Sequence, residues 1–253
     1  MIAAFLSAKV AVAAGWALGL AAVERLAPAA PRPPRSDGPR LVRNLGLWAA
    51  NTLMNPFITL PISAAAAALQ LWTRPDLGWA GLVFDLLLLD LWTYVWHRAN
   101  HEWPLLWRFH RVHHLDQFLD ATSAVRFHPG EVVISALARA PLVIAADIPF
   151  LTVALFDALM LLSALFHHSN IRLPAQLESA LRLFIVTPSH HWVHHHVETA
   201  DTNSNYGGVL TLWDRLFASW SPHAHTPDMR IGAGDAADRP LLQLALAPFR
   251  RAE

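Results

Sequence analysis

The sequence contains no cysteine. That excludes disulfides, iron–sulfur clusters, thiolate zinc sites and covalently attached c-type haem. It is also short of charge, with 15% of residues Asp, Glu, Lys or Arg, where an average soluble domain carries about a quarter. Acids and bases balance at 19 each, so nothing in the net charge favours a nucleic-acid partner. No glycine-rich dinucleotide fingerprint is present, and no internal repeats or low-complexity tracts. What the chain has instead is apolar residues, 54% of its 253 positions, together with 11 tryptophans and 15 histidines.

The apolar residues fall into long runs. Residues 2–23 carry one charge, Lys9, and are long enough to cross a hydrocarbon core. We read them as a retained span rather than a signal peptide, because the charged start is weak and the apolar run long. Residues 31–40, "PRPPRSDGPR", form a Pro-rich linker, and residues 25–43 hold five arginines against Asp37. The positive-inside rule assigns that loop to the cytoplasm. A second apolar stretch covers about Leu45 to Trp72, interrupted by Pro56 and Pro61. A third, residues 77–96, runs directly into His97. A fourth, Val132 to Phe166, is too long for one span. Pro141, Asp147 and Pro149 make it a bent pair or a hairpin.

The expectation is therefore an all-α, multi-pass transmembrane helix bundle of about four spans with a cytoplasmic helical cap. Counting crossings from the arginine loop brings His97, His167 and the cluster His190–His196 out on the same, cytoplasmic face. The organisation expected is N-terminal spans and basic linker over 1–75, a catalytic core over 76–220 and a cytoplasmic tail over 221–253. In a bacterium the membrane would be the inner one.

Histidine is absent from residues 1–96; six lie in 97–128, seven in 167–196 and two, His223 and His225, in the tail. Their spacing carries the chemistry. "HRANH" holds His97 and His101, "HRVHH" holds His110, His113 and His114, and "HWVHH" holds His191, His194 and His195. Separations of three and four place side chains on one helix face, so each group can aim several imidazoles at one point. Neutral imidazole suits iron, zinc and copper. Eight such groups exceed the needs of one metal, so two metals follow. Other metal motifs fail: there is no HExxH and no Glu-x-x-His. The ligand set is almost purely nitrogen.

The order HxxxH, HxxHH, HxxHH resembles the fatty acid hydroxylase and sterol desaturase superfamily of membrane enzymes. "DLWTYVWHRANHEWPLLWRFHRVHH" (90–114), "RFHPGE" (126–131), "FHHSNIRLP" (166–174) and "TPSHHWVHHHVETADTNSNYGGVLTLWDRLFASW" (187–220) resemble its successive landmarks. The likeness covers about residues 80–220; residues 1–75 and the tail match loosely. It adds His168 to the eight histidines as a metal ligand. It implies two iron ions (zinc possible in purified protein) and O2 as cosubstrate. The activity implied is hydroxylation or desaturation of a lipid: sterol-like, fatty acyl, ether lipid or carotenoid. No catalytic residue beyond the metal ligands is expected.

Asp90, His128, Asn170, His190, Asp201 and Asn205 are candidates for supporting the ligands through hydrogen bonds, as are Asn203 and Asp214. For His128 the partner expected is Glu131. His167, His190 and His196 adjoin matched ligands and read as supporting or interfacial, and His223 and His225 as solvated. Electrons need a separate donor, a ferredoxin, cytochrome or reductase, docking on the arginine-rich face. Two other classes fit less well: a zinc-dependent membrane lipid hydrolase and a metal transporter, which would hold polar ligands near mid-span.

Overall fold

The computed structural model describes residues 2–32, 37–69 and 71–250; residues 2–7 and Asp37 enter as backbone only. Pro33–Ser36 of the linker and the last three tail residues lie outside the described residues. Twelve α-helices are described: α1 (Ile2–Leu26), α2 (Asp37–Met54), α3 (Thr59–Ala68), α4 (Gly78–Glu102), α5 (Pro104–His114), α6 (Pro129–Ala145), α7 (Phe150–His168), α8 (Ala175–Leu181), α9 (Pro188–His194), α10 (Thr199–Thr202), α11 (Leu212–Leu216) and α12 (Leu241–Leu246). There are no β-strands among the described residues, only three isolated bridges.

Two of the described helices, α4 and α7, are long and apolar enough to cross a membrane. The fourth apolar stretch is a hairpin, α6 and α7, joined by a turn in which Asp147 takes a positive φ of 50°. The second stretch is not one helix. Pro56 offers no backbone N–H, and the chain breaks over residues 55–58 into α2 and the ten-residue α3. The two pieces still run the length of the bundle. At the histidine end Arg40 of α2 bonds Asp116 at 3.2 Å. At the far end, just past α3, Trp72 donates to the Ala145 carbonyl at 3.0 Å, and Arg74 pairs with Asp85.

Proline sets where the helices near the histidines begin. Trp103, Thr187 and His128 are extended, as residues before proline tend to be. Pro104, Pro188 and Pro129 then occupy the first turns of α5, α9 and α6, where a missing N–H costs nothing. The break at Trp103 turns α5 away from α4, so the histidines of α5 come to face those of α4. The core is a set of small apolar clusters between helices, such as Leu89, Val143, Ile148, Val153 and Phe156. The tail packs back onto the bundle: Leu244 joins Leu47, Val112 and Leu115, and Asp238 pairs with Arg43 and Arg126.

Candidate metal centre

Nine histidines converge at one end of the bundle in two groups. The first is His97, His101, His110, His114 and His194; the second is His113, His168, His191 and His195. Within each, one ring nitrogen per residue lies within 4.8 Å of all the others. The two HxxHH segments are used in opposite senses. From α5, His110 and His114 enter the first group and His113 the second. From α9 and its C-cap, His191 and His195 enter the second and His194 the first. The rings of His114 and His195 stack at 4.2 Å across the division.

The hydrogen bonds behind the rings determine what each nitrogen can do. His97 Nδ1 bonds the Tyr206 carbonyl at 2.8 Å, His194 Nδ1 the Ser204 carbonyl at 2.7 Å, His168 Nδ1 the Ala164 carbonyl at 2.8 Å and His113 Nδ1 the Arg126 carbonyl at 3.3 Å. A carbonyl only accepts, so each Nδ1 carries the proton and each Nε2 a lone pair. His110 Nδ1 bonds Glu131 Oε1 at 2.7 Å, with the same result. The inward nitrogens lack protein donors: His110 Nε2, His194 Nε2 and both nitrogens of His101 and His114 are buried without a hydrogen bond.

The second group makes the point sharpest. His168 Nε2 lies 3.0 Å from His113 Nε2, and by the carbonyl bonds above neither is protonated. His191 Nε2 lies 3.1 Å from His168 Nε2 and 3.2 Å from His195 Nε2. Facing lone pairs repel unless a cation sits among them. A tetrahedral ion with nitrogen ligands at about 2.0–2.1 Å has a ligand–ligand edge of about 3.4 Å, close to these separations. Burial first, and neighbouring imidazoles next, hold His113, His114, His191 and His195 well below the usual imidazole range. For His194 burial likewise dominates. All five are neutral at physiological pH, the state that binds metal. The donor set fits two transition-metal ions and no phosphate or carboxylate ligand.

The other residues singled out by sequence occupy different positions. Asp90 touches none of the nine histidines; its carboxylate accepts from the Val209 and Leu210 amides and from Trp213 Nε1. Asn170 pins residues 29–30 instead. His128 caps α6, accepting from the Gly130 amide, and its Nε2 donates to the Ala245 carbonyl at 3.0 Å. It therefore does not meet Glu131, which serves His110. His190 Nε2 bonds Asp214 at 3.2 Å, and its carbonyl accepts from Asn205. Asn205 takes a positive φ of 52°, and its Oδ1 receives the Ser221 amide. Asp201 accepts from His196, His223 and Ser221. Asn203 is exposed. His167 is buried, its ring 4.1 Å from that of His191. His225 is half-buried rather than solvated, lying edge-on to Trp192 at 5.0 Å.

Asp214 is one of the supports expected from the sequence, whereas Arg126 is one that no spacing marks. Asp214, fully buried, accepts from the Tyr206 and Gly207 amides at 2.8 and 3.0 Å, and so fixes the carbonyl that orients His97. A Cβ on Gly207 would meet Asp214 Oδ2 at 2.8 Å, so only glycine allows this approach. Arg126, also fully buried, donates to the Val112 carbonyl and to Asn44 while its own carbonyl orients His113.

Residues 82–219, more than half of the chain, match the fatty acid hydroxylase family. Against an alkylglycerol monooxygenase of Danio rerio the chain is 32% identical over 136 residues, 54% of this chain and 29% of that protein. Against the ornithine lipid hydroxylase OlsE of Rhizobium tropici it is 33% identical over 175 residues, 67% of this chain and 50% of that protein. Against the fatty acid hydroxylase vlmA of a Lecanicillium species it is 26% identical over 185 residues, 66% and 48% of the two chains. The chain thus spans half or less of the length of these relatives. No solved structure matches it.

Proposed function

The chain belongs to the fatty acid hydroxylase family, and from that premise we propose that it hydroxylates a membrane lipid with O2 at a di-iron centre. The five histidines of the first group would hold one iron and the four of the second the other. The observation that carries this reading is the pair of converging lone-pair sets, fixed by Nδ1 bonds to carbonyls and to Glu131. Iron bound there, with O2, supplies an oxidant strong enough for an unactivated C–H bond. The protein's part is to keep each imidazole neutral and aimed, and to keep bulk water out.

The relatives named above act on alkylglycerols, ornithine lipids and fatty acids by their names, which supports a lipid as substrate. Inserting one oxygen atom into a C–H bond and releasing the other as water needs two electrons and two protons. These would come from a separate redox donor. The Arg40–Asp116 bond ties the arginine-rich segment to the loop after α5. It supports a multi-pass arrangement in which that segment and the histidines share the cytoplasmic face.

The test is reconstitution in vesicles with ferrous iron, a chemical reductant and labelled O2. Two irons per chain and label in an oxidised lipid are the expected results. Desaturation gives an alkene without label. A protein that holds zinc and cleaves a lipid without consuming O2 would overturn the proposal.

A further inference from the structure

The segment between α8 and α9 pairs with the segment leading into α11. The Val186 amide donates to the Val209 carbonyl at 2.9 Å and the Thr211 amide to the Phe184 carbonyl at 3.1 Å. The Thr211 hydroxyl reaches the Arg182 carbonyl at 3.0 Å, and Arg215 the Leu183 carbonyl. This unit is wedged between the two long apolar helices. A Cβ on Gly208 would meet Met160 of α7 at 2.9 Å and Thr93 of α4 at 3.0 Å. The Gly208 carbonyl accepts from Ser163 of α7 at 2.9 Å, and Phe217 stacks on Tyr94 of α4 at 5.3 Å.

The depth of the unit follows from its partners. Asp90, which takes the Val209 and Leu210 amides, precedes His97 by seven residues, about 10 Å along a helix. Ser163 precedes His168 by five residues, about 8 Å. Both helices thus hold the unit well inside their histidine ends. Yet its outer face is apolar and uncovered: Leu183, Phe184, Leu212, Leu216 and Phe217 are all exposed, Phe184 at 69% and Leu216 at 64%. Val83, Leu87 and Val95 of α4 are exposed as well. Irregular backbone is tolerated at membrane depth only where its polar groups are satisfied by protein. Here the Val186 and Thr211 amides find carbonyls within the unit, and Asp90 supplies the acceptors for the Val209 and Leu210 amides and the Trp213 indole. At the rim, Arg182 and Arg215 lie over Trp220 at 5.0 and 5.8 Å, an arginine–tryptophan arrangement suited to the headgroup layer.

We propose that residues 182–186 and 208–217 form a re-entrant wedge whose outer face lies in the lipid bilayer beside α4 and α7. The inference rests on reading those two helices as spans. The wedge makes the site's wall on this side a membrane-facing one, and it gives the carboxylate of Asp90 a structural reason to sit within a span.

The chain has no cysteine, so single substitutions Phe184→Cys, Leu216→Cys, Val83→Cys and Asp235→Cys can each carry a bimane label. The metal-loaded protein is reconstituted in phosphatidylcholine vesicles with brominated acyl chains or with iodide in the buffer. Labels at 184 and 216 should lose about half their emission to brominated lipid, as should the label at 83 within the hydrocarbon. Only the label at 235 should respond to iodide. Quenching at 184 and 216 by iodide, with 83 still answering to lipid, overturns the wedge and leaves the spans standing. Iodide quenching at 83 as well overturns both. Protection at 184 and 216 from both quenchers, with cross-linking between copies, assigns the face to a second protomer and also overturns the wedge. Unchanged metal per chain certifies the fold, and two independent positions guard against one label disturbing it.

Discussion

Glu131 accepts a hydrogen bond from His110 Nδ1 at 2.7 Å, and among the described residues it is the one carboxylate bonded to any of the nine clustered histidines. Its other oxygen is buried without a partner, so the carboxylate's hydrogen bonding is spent on the imidazole. Such a carboxylate raises ligand basicity and fixes the ring. Glu131→Gln keeps the shape and an acceptor oxygen but drops the charge. It should weaken metal binding or turnover about 10–100-fold, and the loss should fall on one of two metals. Chelator titration of metal against chain measures it; unchanged affinity would show that the charge is irrelevant.

How much of this was readable in the sequence varies with the physics. The nine histidines the fold gathers are the nine singled out by spacing and by the family landmarks, because i, i+3 and i+4 geometry is local. Their division into five and four was not readable, since it depends on how α5 and α9 meet in space. Proximity in the sequence pairs Glu131 with His128; in the fold His128 turns to cap its own helix, which frees Glu131 for His110. Asp90 and Asn170 lie near matched motifs, and polar residues in such places invite a reading as helpers of the metal. The structure uses both to hold irregular backbone, and no periodic signal marks such a role. The helix break at 55–58 did carry a signal, Pro56, but an apolar run with one proline does not say whether it bends or stops.

Arg40 is buried and faces two buried carboxylates, Asp116 and Asp120. Arg40→Leu leaves two buried acids short of their cation, a change that costs about 3–5 kcal/mol when one partner of a buried pair is removed. A large fall in thermal midpoint is expected. The same contact fixes topology: reporters fused after Arg40 and after Leu115 should lie on the same side of the membrane. Opposite sides would be incompatible with the Arg40–Asp116 bond.

Stability of the metal-free protein should depend on pH in a known direction. Burial holds His113, His114, His191, His194 and His195 well below their ordinary value. As pH falls below about 6.5, the unfolded chain takes up protons at these positions and the folded chain does not. The unfolded state then binds more protons, so folding stability is full above that pH and declines below it. Protons also compete with metal for the same nitrogens. Thermal midpoints from about pH 8 down to about pH 5 should fall in the metal-free protein, and bound metal should be released over the same descent. A flat profile would mean that these imidazoles are charged or exposed in solution.

His190 and His194 lie four residues apart on α9 but have different tasks. His194 sends Nδ1 to Ser204 and its free Nε2 into the first group. His190 bonds Asp214 and lies against Trp220 at 4.5 Å, outside both groups. His194→Ala should abolish turnover and lower metal content. His190→Ala should retain both metals and lose about 10–100-fold in activity by loosening Asp214 and the turn that orients His97. The reverse result, a metal-free His190→Ala beside an active His194→Ala, would move the ligand register by a full turn.

His113 and His114 are adjacent in "HRVHH" yet face different groups, and this yields the sharpest test of the five-and-four division. His113→Ala takes one of four nitrogens from the second group and leaves His168, His191 and His195. Three nitrogens and an open position make a much weaker hold on a structural ion. His114→Ala takes one of five from the first group and leaves four, still a full tetrahedral set. His113→Ala should therefore purify with about one metal per chain, and His114→Ala with about two but with turnover impaired, because the site geometry has changed. Counting metals per chain in the two variants, purified side by side from iron-supplemented membranes, decides it. Equal loss in both would mean that the groups share ligands rather than dividing them. Loss confined to His114→Ala would mean that the assignment of the middle histidine is reversed.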